Sequence, residues 1–266
     1  MRVSTFKTGN TPKQARTNLF AYLNSLHLTE PVTTVMPTVK PPMVGKKSEI
    51  IMIDSGASEA VVKVRRANPT AAIAVLNFAS YKNPGGGFMD NKLAQEEDLC
   101  YCSNLYKELE KHRFDFYSQN QCDLNSGLYR DRCLLTEHVS FVAERPDEIL
   151  KNNEVCEVDV ITCAAPNLSY LIRSGEQKSR RALKAMLDRI HYINSVLAGR
   201  DYDIVIYGAF GCGVFRNDPT FTATCFKWDL ETNYPNSFRQ IIFAIPNEYS
   251  RNYQAFRNVL FGEGEL

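Results

Sequence analysis

Ala71-Ala72-Ile73-Ala74-Val75-Leu76-Asn77-Phe78, then Asn83-Pro84-Gly85-Gly86-Gly87, then Gln95-Glu96-Glu97 is the run on which the fold turns. Its first segment is nearly all apolar, as a strand buried on both faces of a sheet would be. The three glycines lack Cβ atoms, which makes positive φ accessible and lets a phosphate or a sugar approach the main-chain N–H groups. From Leu93 onward, Leu99, Cys102, Leu105 or Tyr106, and Leu109 recur every three to four residues and predict one helix with a buried face. Glu96 and Glu97 fall in its first turn. There the helix dipole favours a carboxylate and burial favours the neutral acid, so two neighbouring glutamates can be driven to different proton affinities. Successive helical residues point about 100° apart, so the two are expected to take different roles.

Outward from this unit, strands and helices alternate. Residues 49–53 read as a strand, Asp54-Ser55-Gly56 as a turn and residues 58–68 as a short helix. Residues 114–129 are aromatic and polar without a period and read as a loop bordering a pocket. Residues 132–137 and 139–143 read as short hairpin-like strands, and residues 158–163 as an apolar strand ending at Ala164-Ala165-Pro166-Asn167. The longest helix is predicted over residues 176–198, with Leu183, Met186, Leu187, Ile190, Ile193 and Leu197 on one stripe and Gly199 at its C-terminal cap. A strand over residues 203–207 leads into the second glycine-rich loop, Gly208-Ala209-Phe210-Gly211-Cys212-Gly213. Residues 240–245 add a last strand and residues 249–260 a closing helix. The alternation predicts a three-layer α/β/α domain on a mostly parallel or mixed sheet. In such sheets ligands lie beyond the carboxyl ends of the strands, so the two glycine loops are expected to meet over one crevice.

The N-terminal segment is different in character. Thr11-Pro12-Lys13-Gln14 is a helix start, with Thr11 as N-cap, Pro12 at the first helical position and Leu19, Tyr22, Leu23 and Leu26 on one stripe. Four prolines between residues 31 and 45 break any period and mark an extended connector. This gives a helix and connector over residues 1–48 and a catalytic domain over residues 49–266.

With 266 residues and 44% hydrophobic content, the chain can bury one sizeable core. Its 31 basic and 30 acidic residues give no broad positive surface, which argues against general nucleic-acid binding driven by phosphate neutralisation. A single diphosphate can be held by backbone amides instead. The eight cysteines include no Cys-x-x-Cys pair and the four histidines are scattered, so neither a metal site nor a cofactor is expected. The first residues lack the apolar core of a signal peptide and no run approaches a membrane span, so a monomer with reduced cysteines in a cytoplasmic compartment is expected, without membrane contact.

Leu76-Asn77-Phe78-Ala79-Ser80 before the triglycine, and Gly211-Cys212-Gly213-Val214-Phe215-Arg216-Asn217-Asp218-Pro219 downstream, make this combination resemble the bacterial-type poly(ADP-ribose) glycohydrolases. That family has a macrodomain fold and carries Gly-Gly-Gly, a short spacer and Gln-Glu-Glu, and the chain matches all six residues. The resemblance runs from about Ile50 to Pro246 and includes Ser126-Gly127-Leu128-Tyr129 and Asp159-Val160-Ile161-Thr162. It implies that Glu97 is the general acid/base and that Glu96 holds ribose hydroxyls. By the same carry-over Gly85, Gly86 and Gly87 form the first ligand loop, and Gly211, Cys212, Gly213, Val214 and Phe215 the diphosphate loop, with Phe215 on the distal ribose. Asn77, Ser80, Gln95 and Asn167 complete the substrate-binding set. Ser80 stands where many macrodomains place an asparagine.

Each residue also has a plainer reading. The triglycine alone is a tight turn as readily as a ligand loop, and acids in a first helical turn commonly serve the dipole. Asn77 either closes a strand end or positions a ribose, and Asn167 has the same two readings with a turn as the plainer one. Cys212 reads as a small packing residue, because no activating base lies near it. Phe210 reads as structural, while Arg216 faces solvent or pairs with Asp218. The expected reaction is hydrolysis of the O-glycosidic bond of ADP-ribose polymer, with Glu97 protonated in the resting site. The alternatives are removal of single ADP-ribose units from protein or nucleic acid, and a macrodomain that binds ADP-ribose without cleaving it.

Overall fold

The computed structural model describes residues 32–35, 47–172, 175 and 179–262, together with Ala21, Asn24 and Ser25. Those last three are helical, and the rest of the expected N-terminal helix lies outside the described residues. Among the described residues one sheet has seven strands: β1 (Val32–Val35), β2 (Glu49–Ile53), β3 (Ile73–Phe78), β4 (Cys133–Phe141), β7 (Cys156–Cys163), β8 (Ile204–Tyr207) and β9 (Gln240–Ala244). A small hairpin, β5 (Ala143–Arg145) with β6 (Glu148–Ile149), stands apart from it. The sheet order is β1-β4-β7-β3-β8-β9-β2, parallel from β7 through β2 and antiparallel at β4 and β1. Within the stretch read as connector, the β-branched run Val32–Val35 thus adds an edge strand, with Val32 paired to Glu137.

Helices α1 (Ala57–Ala67), α2 (Gln95–Cys102), α3 (Leu105–Lys111) and α4 (Ser118–Cys122) precede β4, and α5 (Arg180–Ala198), α6 (Pro219–Thr232) and α7 (Arg251–Phe261) follow β7. The central strand β3 decides how they pack. Its odd-numbered Ile73 and Val75 join a core with α1, α2 and α3, and its even-numbered Ala74 and Leu76 join a second core with α5, α6 and α7. Helices therefore cover both faces, and an all-apolar strand follows from the period of two.

Four local expectations are corrected. The helix from Leu93 is two helices broken at Ser103, which is extended at φ −147° and bridges to Phe141. Ser103 Oγ donates to Leu99 O and accepts the N–H of Leu105, while Asn104 Oδ1 accepts the N–H of Ser140, so side-chain hydrogen bonds replace the helical ladder. Residues 114–129 are wound rather than a loop, with a π-turn over Arg113–Tyr117, α4 and a 3₁₀ turn over Asn125–Gly127. The π-turn buries the adjacent Phe116 and Tyr117 together and so erases the 3.6-residue period. The two short strands around His138 are one strand with a bulge, in which His138 takes φ +60° and its N–H donates to Asp159. Leu183 is 37% exposed and the buried position beside it is Ala182, so the stripe of α5 begins one residue earlier.

Helix α6 was not anticipated, although Asp218-Pro219 signals it: Asp218 accepts the N–H of Phe221 at 3.0 Å and proline takes the first helical position. No helix among the described residues is long and apolar enough to cross a membrane.

Candidate active site

Strands β7, β3 and β8 are parallel neighbours, so the segments that leave their carboxyl ends share one edge of the sheet. Both glycine loops are among them, as the sequence led one to expect. Pairing of β3 with β8 ends at Val75↔Ile206, whereas pairing with β7 continues to Phe78↔Cys163. Gln95 fills the gap: its Nε2 donates to Leu76 O and its Oε1 accepts the N–H of Phe78, both at 2.8 Å. The first residue of α2 is thereby pinned to the central strand. Its amide is spent on the backbone, so Gln95 acts through the placement of the two glutamates that follow it.

Those glutamates turn back onto the first loop. Glu97 is 6% exposed; its Oε1 accepts the N–H of Gly87 at 2.7 Å and its Oε2 the N–H of Ala94 at 3.1 Å. Glu96 is 3% exposed; its Oε2 accepts the N–H of Ser80 at 2.6 Å and its Oε1 lies 3.4 Å from Asn77 Nδ2. Asn77 continues the parity of Ile73 and Val75, which brings it to the α2 side, and its Nδ2 also donates to Thr162 Oγ1. It therefore sits behind Glu96. Ser80 Oγ accepts the N–H groups of Lys82 and Asn83 and closes the turn that starts the loop.

The triglycine serves the glutamates as much as any ligand. Gly85 and Gly86 have φ of +64° and +60°, and a Cβ on Gly86 would lie 2.7 Å from Glu97 Oε1 and 2.8 Å from Glu96 Oε2. On Gly85 it would meet the Tyr106 ring at 2.7 Å. Only Cβ-free backbone lets both carboxylates close on the loop.

Burial pushes the Glu96 carboxyl well above the usual carboxylate range; the neighbouring Glu97 adds to the push and the bonds from Ser80 and Asn77 oppose it. The proton expected from the sequence concerned Glu97; the burial-driven rise that the structure shows is on Glu96. The sign for stability follows. The folded state holds a proton on Glu96 at pH values where the unfolded chain has lost it, so this group contributes stability at low pH that is lost as pH rises through its folded value. In urea unfolding, Glu96→Gln should gain on the wild type as pH is raised from about 5 to 8. An unchanged difference between the two proteins over that range would contradict the assignment.

The second loop is built differently. Gly211 has φ +72°, and a Cβ there would meet Ala165 and Asn217 at 2.6 Å. Asn217, buried, donates from Nδ2 to Pro166 O at 2.8 Å and Gly211 O at 3.0 Å, fastening the loop to the segment after β7. Gly213 is exposed, with open space where a Cβ would be, and Val214 is 65% exposed. Among the described residues the N–H groups of Gly213, Val214 and Phe215 have no acceptor within the chain. Cys212 gives its thiol to Phe210 O at 3.5 Å, and burial pushes that thiol up to about 12, which fits the packing role and not a nucleophile. Phe210 is fully buried and edge-on to Phe78, as a structural residue should be. Arg216 is exposed at φ +60°, and Asp218 is paired with Arg251 rather than with it.

An aromatic stack that sequence reasoning missed joins the loops. Tyr81 of the first loop lies parallel to Tyr129 at 4.0 Å between centroids, and Tyr129 meets the edge of Phe215 at 6.1 Å. Tyr129 OH accepts from Asn167 Nδ2 at 3.3 Å, and the Asn167 N–H donates to Gly127 O at 2.7 Å. Behind it Arg189, 1% exposed, binds Asp131 at 2.6 Å, Leu128 O at 3.2 Å and Ala164 O, so one guanidinium fixes the segments that carry Tyr129 and Asn167. Ser-Gly-Leu-Tyr was the available signal for Tyr129. Nothing local marks Arg189, which lies on a helix far along the chain.

The family model for the catalytic domain of microbial-type poly(ADP-ribose) glycohydrolase (PARG) matches residues 7–144, more than half of the chain. The chain belongs to the microbial-type PARG family. The match begins well before Ile50, where the sequence resemblance was placed, so it takes in the segment that carries β1. Among solved PARG structures, that of Deinococcus radiodurans in complex with ADP-ribose is 29% identical, with 94% of this chain and 92% of that chain covered and a TM-score of 0.72. A point mutant of the same protein with ADP-ribose is 30% identical over 95% and 93% of the two chains, also with a TM-score of 0.72. The PARG of Thermomonospora curvata bound to the inhibitor ADP-HPD is 26% identical over 79% and 78%, with a TM-score of 0.70. No curated protein matches the chain. The six PARG signature residues all lie at the edge of the sheet described above, four of them in direct contact through Gly86 and Gly87.

Proposed function

We propose that this PARG-family chain is a poly(ADP-ribose) glycohydrolase on a macrodomain-like three-layer scaffold, and that Glu97 is its general acid/base. The observation that carries the reading is the pair of buried carboxylates closing on Gly86, one strand away from a glycine loop with free amides. The N–H groups of Gly213, Val214 and Phe215 supply donors for a diphosphate without net positive charge. Phe215, steadied by Tyr129, packs on the distal ribose, and Glu96 accepts from the ribose hydroxyls.

Glu97 in its acid form gives a proton to the leaving ribose oxygen as the bond from the anomeric carbon breaks and oxocarbenium character develops. The resulting carboxylate takes a proton from the water that attacks the same carbon. One water is consumed, ADP-ribose is released, and Glu97 ends in the form in which it began. Gly87 and Ala94, through their N–H groups, hold the carboxylate in place throughout.

The test is to incubate the protein with poly(ADP-ribose) and with protein bearing single ADP-ribose units, following free ADP-ribose by chromatography. Release from polymer is expected. Release from the singly modified protein alone would move the assignment to a mono-ADP-ribosyl hydrolase, and tight binding without release from either would leave a binding module.

A further inference from the structure

The strand order gives the site a direction. Resting on the proposed reading, the diphosphate of the terminal unit lies at the exit of β8 and the scissile carbon at the glutamates beside β3. The next strand ends beyond β3 on the same edge are the exit of β7 and then the start of β4. The rest of a polymer, joined to the far side of the scissile bond, leaves in that direction.

Three cations stand there, and their partners are neutral. Lys82 follows β3 and donates to Tyr170 OH at 3.0 Å, with its Nζ 5.7 Å from the ring centre. Arg132, one residue before β4, donates to Asn120 Oδ1 at 3.0 Å and Gln119 Oε1 at 3.1 Å and lies 5.2 Å over the Phe116 ring. Arg181, in the first turn of α5, donates to Asn125 Oδ1, and Asn125 in turn holds Tyr129 O at 2.9 Å. Lys82 O accepts from Gln121, so all three converge on residues 118–129.

Elsewhere several surface cations are matched to carboxylates, Lys63 with Glu59, Arg66 with Glu144, Arg145 with Glu59 and Arg200 with Glu137, while Lys107 and Arg239 donate to asparagine oxygens. Two acids carried by the same region are themselves taken, Asp123 by Arg130 and Asp131 by Arg189. Among the described residues no carboxylate pairs with Lys82, Arg132 or Arg181. Among the described residues no ion pair neutralises these three cations, on a chain whose overall charge is only +1. Amide and hydroxyl partners orient a cation without neutralising it, and a guanidinium resting on an aromatic face keeps free N–H groups for a phosphate.

We propose that Lys82, Arg132 and Arg181 bind the diphosphate backbone of the ADP-ribose polymer beyond the scissile bond. The experiment compares long poly(ADP-ribose) with the 4-nitrophenyl glycoside of ADP-ribose, which has no phosphate past the bond that is cut. Arg132→Gln/Arg181→Gln and, separately, Lys82→Gln are assayed on both from about 50 to 200 mM salt. For the double variant, KM on polymer is expected to rise about five- to tenfold with kcat within about twofold, and the slope of log kcat/KM against log salt to flatten by about 1.4. The shift on the glycoside should be several times smaller. Lys82→Gln, a change at a half-buried side chain, should show the same pattern at about half the size. Equal KM changes on both substrates, or an unchanged salt slope, would overturn the proposal. A wild type that cleaves the glycoside with a polymer slope already near zero would do so too, whereas a wild type inert on both would strike the catalytic reading itself.

Discussion

Glu97→Gln lowers kcat on poly(ADP-ribose) by about a thousandfold while ADP-ribose affinity stays within about threefold, the size expected when a general acid/base is removed and the ligand grip is kept. Glutamine matches glutamate in shape, and one amide oxygen can still accept the N–H of Gly87, now held at 2.7 Å. The other end of the amide would face the Ala94 N–H, a donor against a donor. Ala94 is exposed, so water can take up that N–H and the structural cost stays small. The titrating group is what is lost. Chromatographic kcat and calorimetric affinity for ADP-ribose check the two halves together. A kcat within tenfold of wild type would mean that Glu97 holds the loop and that the proton moves elsewhere, with Glu96 the first group to test.

Much of this arrangement was legible in the sequence because it is local. A strand buried on both faces, a triglycine and an acid pair lie within thirty residues, and each has its own periodicity or backbone signature. The convergence of the two glycine loops also followed, from the rule that parallel strands present their carboxyl ends together. What escaped depends on contacts between distant segments. The break at Ser103 is made at Phe141 of strand β4, and the winding of residues 113–117 by a π-turn that no 3.6-residue pattern encodes. Gln95 read as a ligand contact because sequence cannot show that β3 outruns its pairing with β8 and leaves backbone groups for an amide to satisfy. That burial pushes Glu96 toward the neutral form was likewise beyond the sequence, because it depends on what packs over the carboxyl from several segments.

Gly86→Ala should damage stability and turnover together. Residue 86 is at φ +60°, where an alanine costs about 1–2 kcal/mol. The added methyl would also stand 2.7 and 2.8 Å from the two carboxylates, so both glutamates must move or the loop must. If the loop moves, the Gly87 N–H leaves Glu97; if the glutamates move, Glu96 leaves the Ser80 N–H. Either way a displacement near 1 Å at the reacting groups is forced, worth about a hundredfold in kcat, on top of a melting temperature lowered by about 2–8 °C. Gly213→Ala is the matched control, because it meets open space and needs no left-handed backbone. Its melting temperature should stay within about 1 °C of wild type. If Gly86→Ala keeps full turnover, the close approach of glycine and carboxylates is not what positions the catalytic pair; if it loses turnover with a normal melting temperature, the damage lies in the geometry of the two glutamates and not in the stability of the fold.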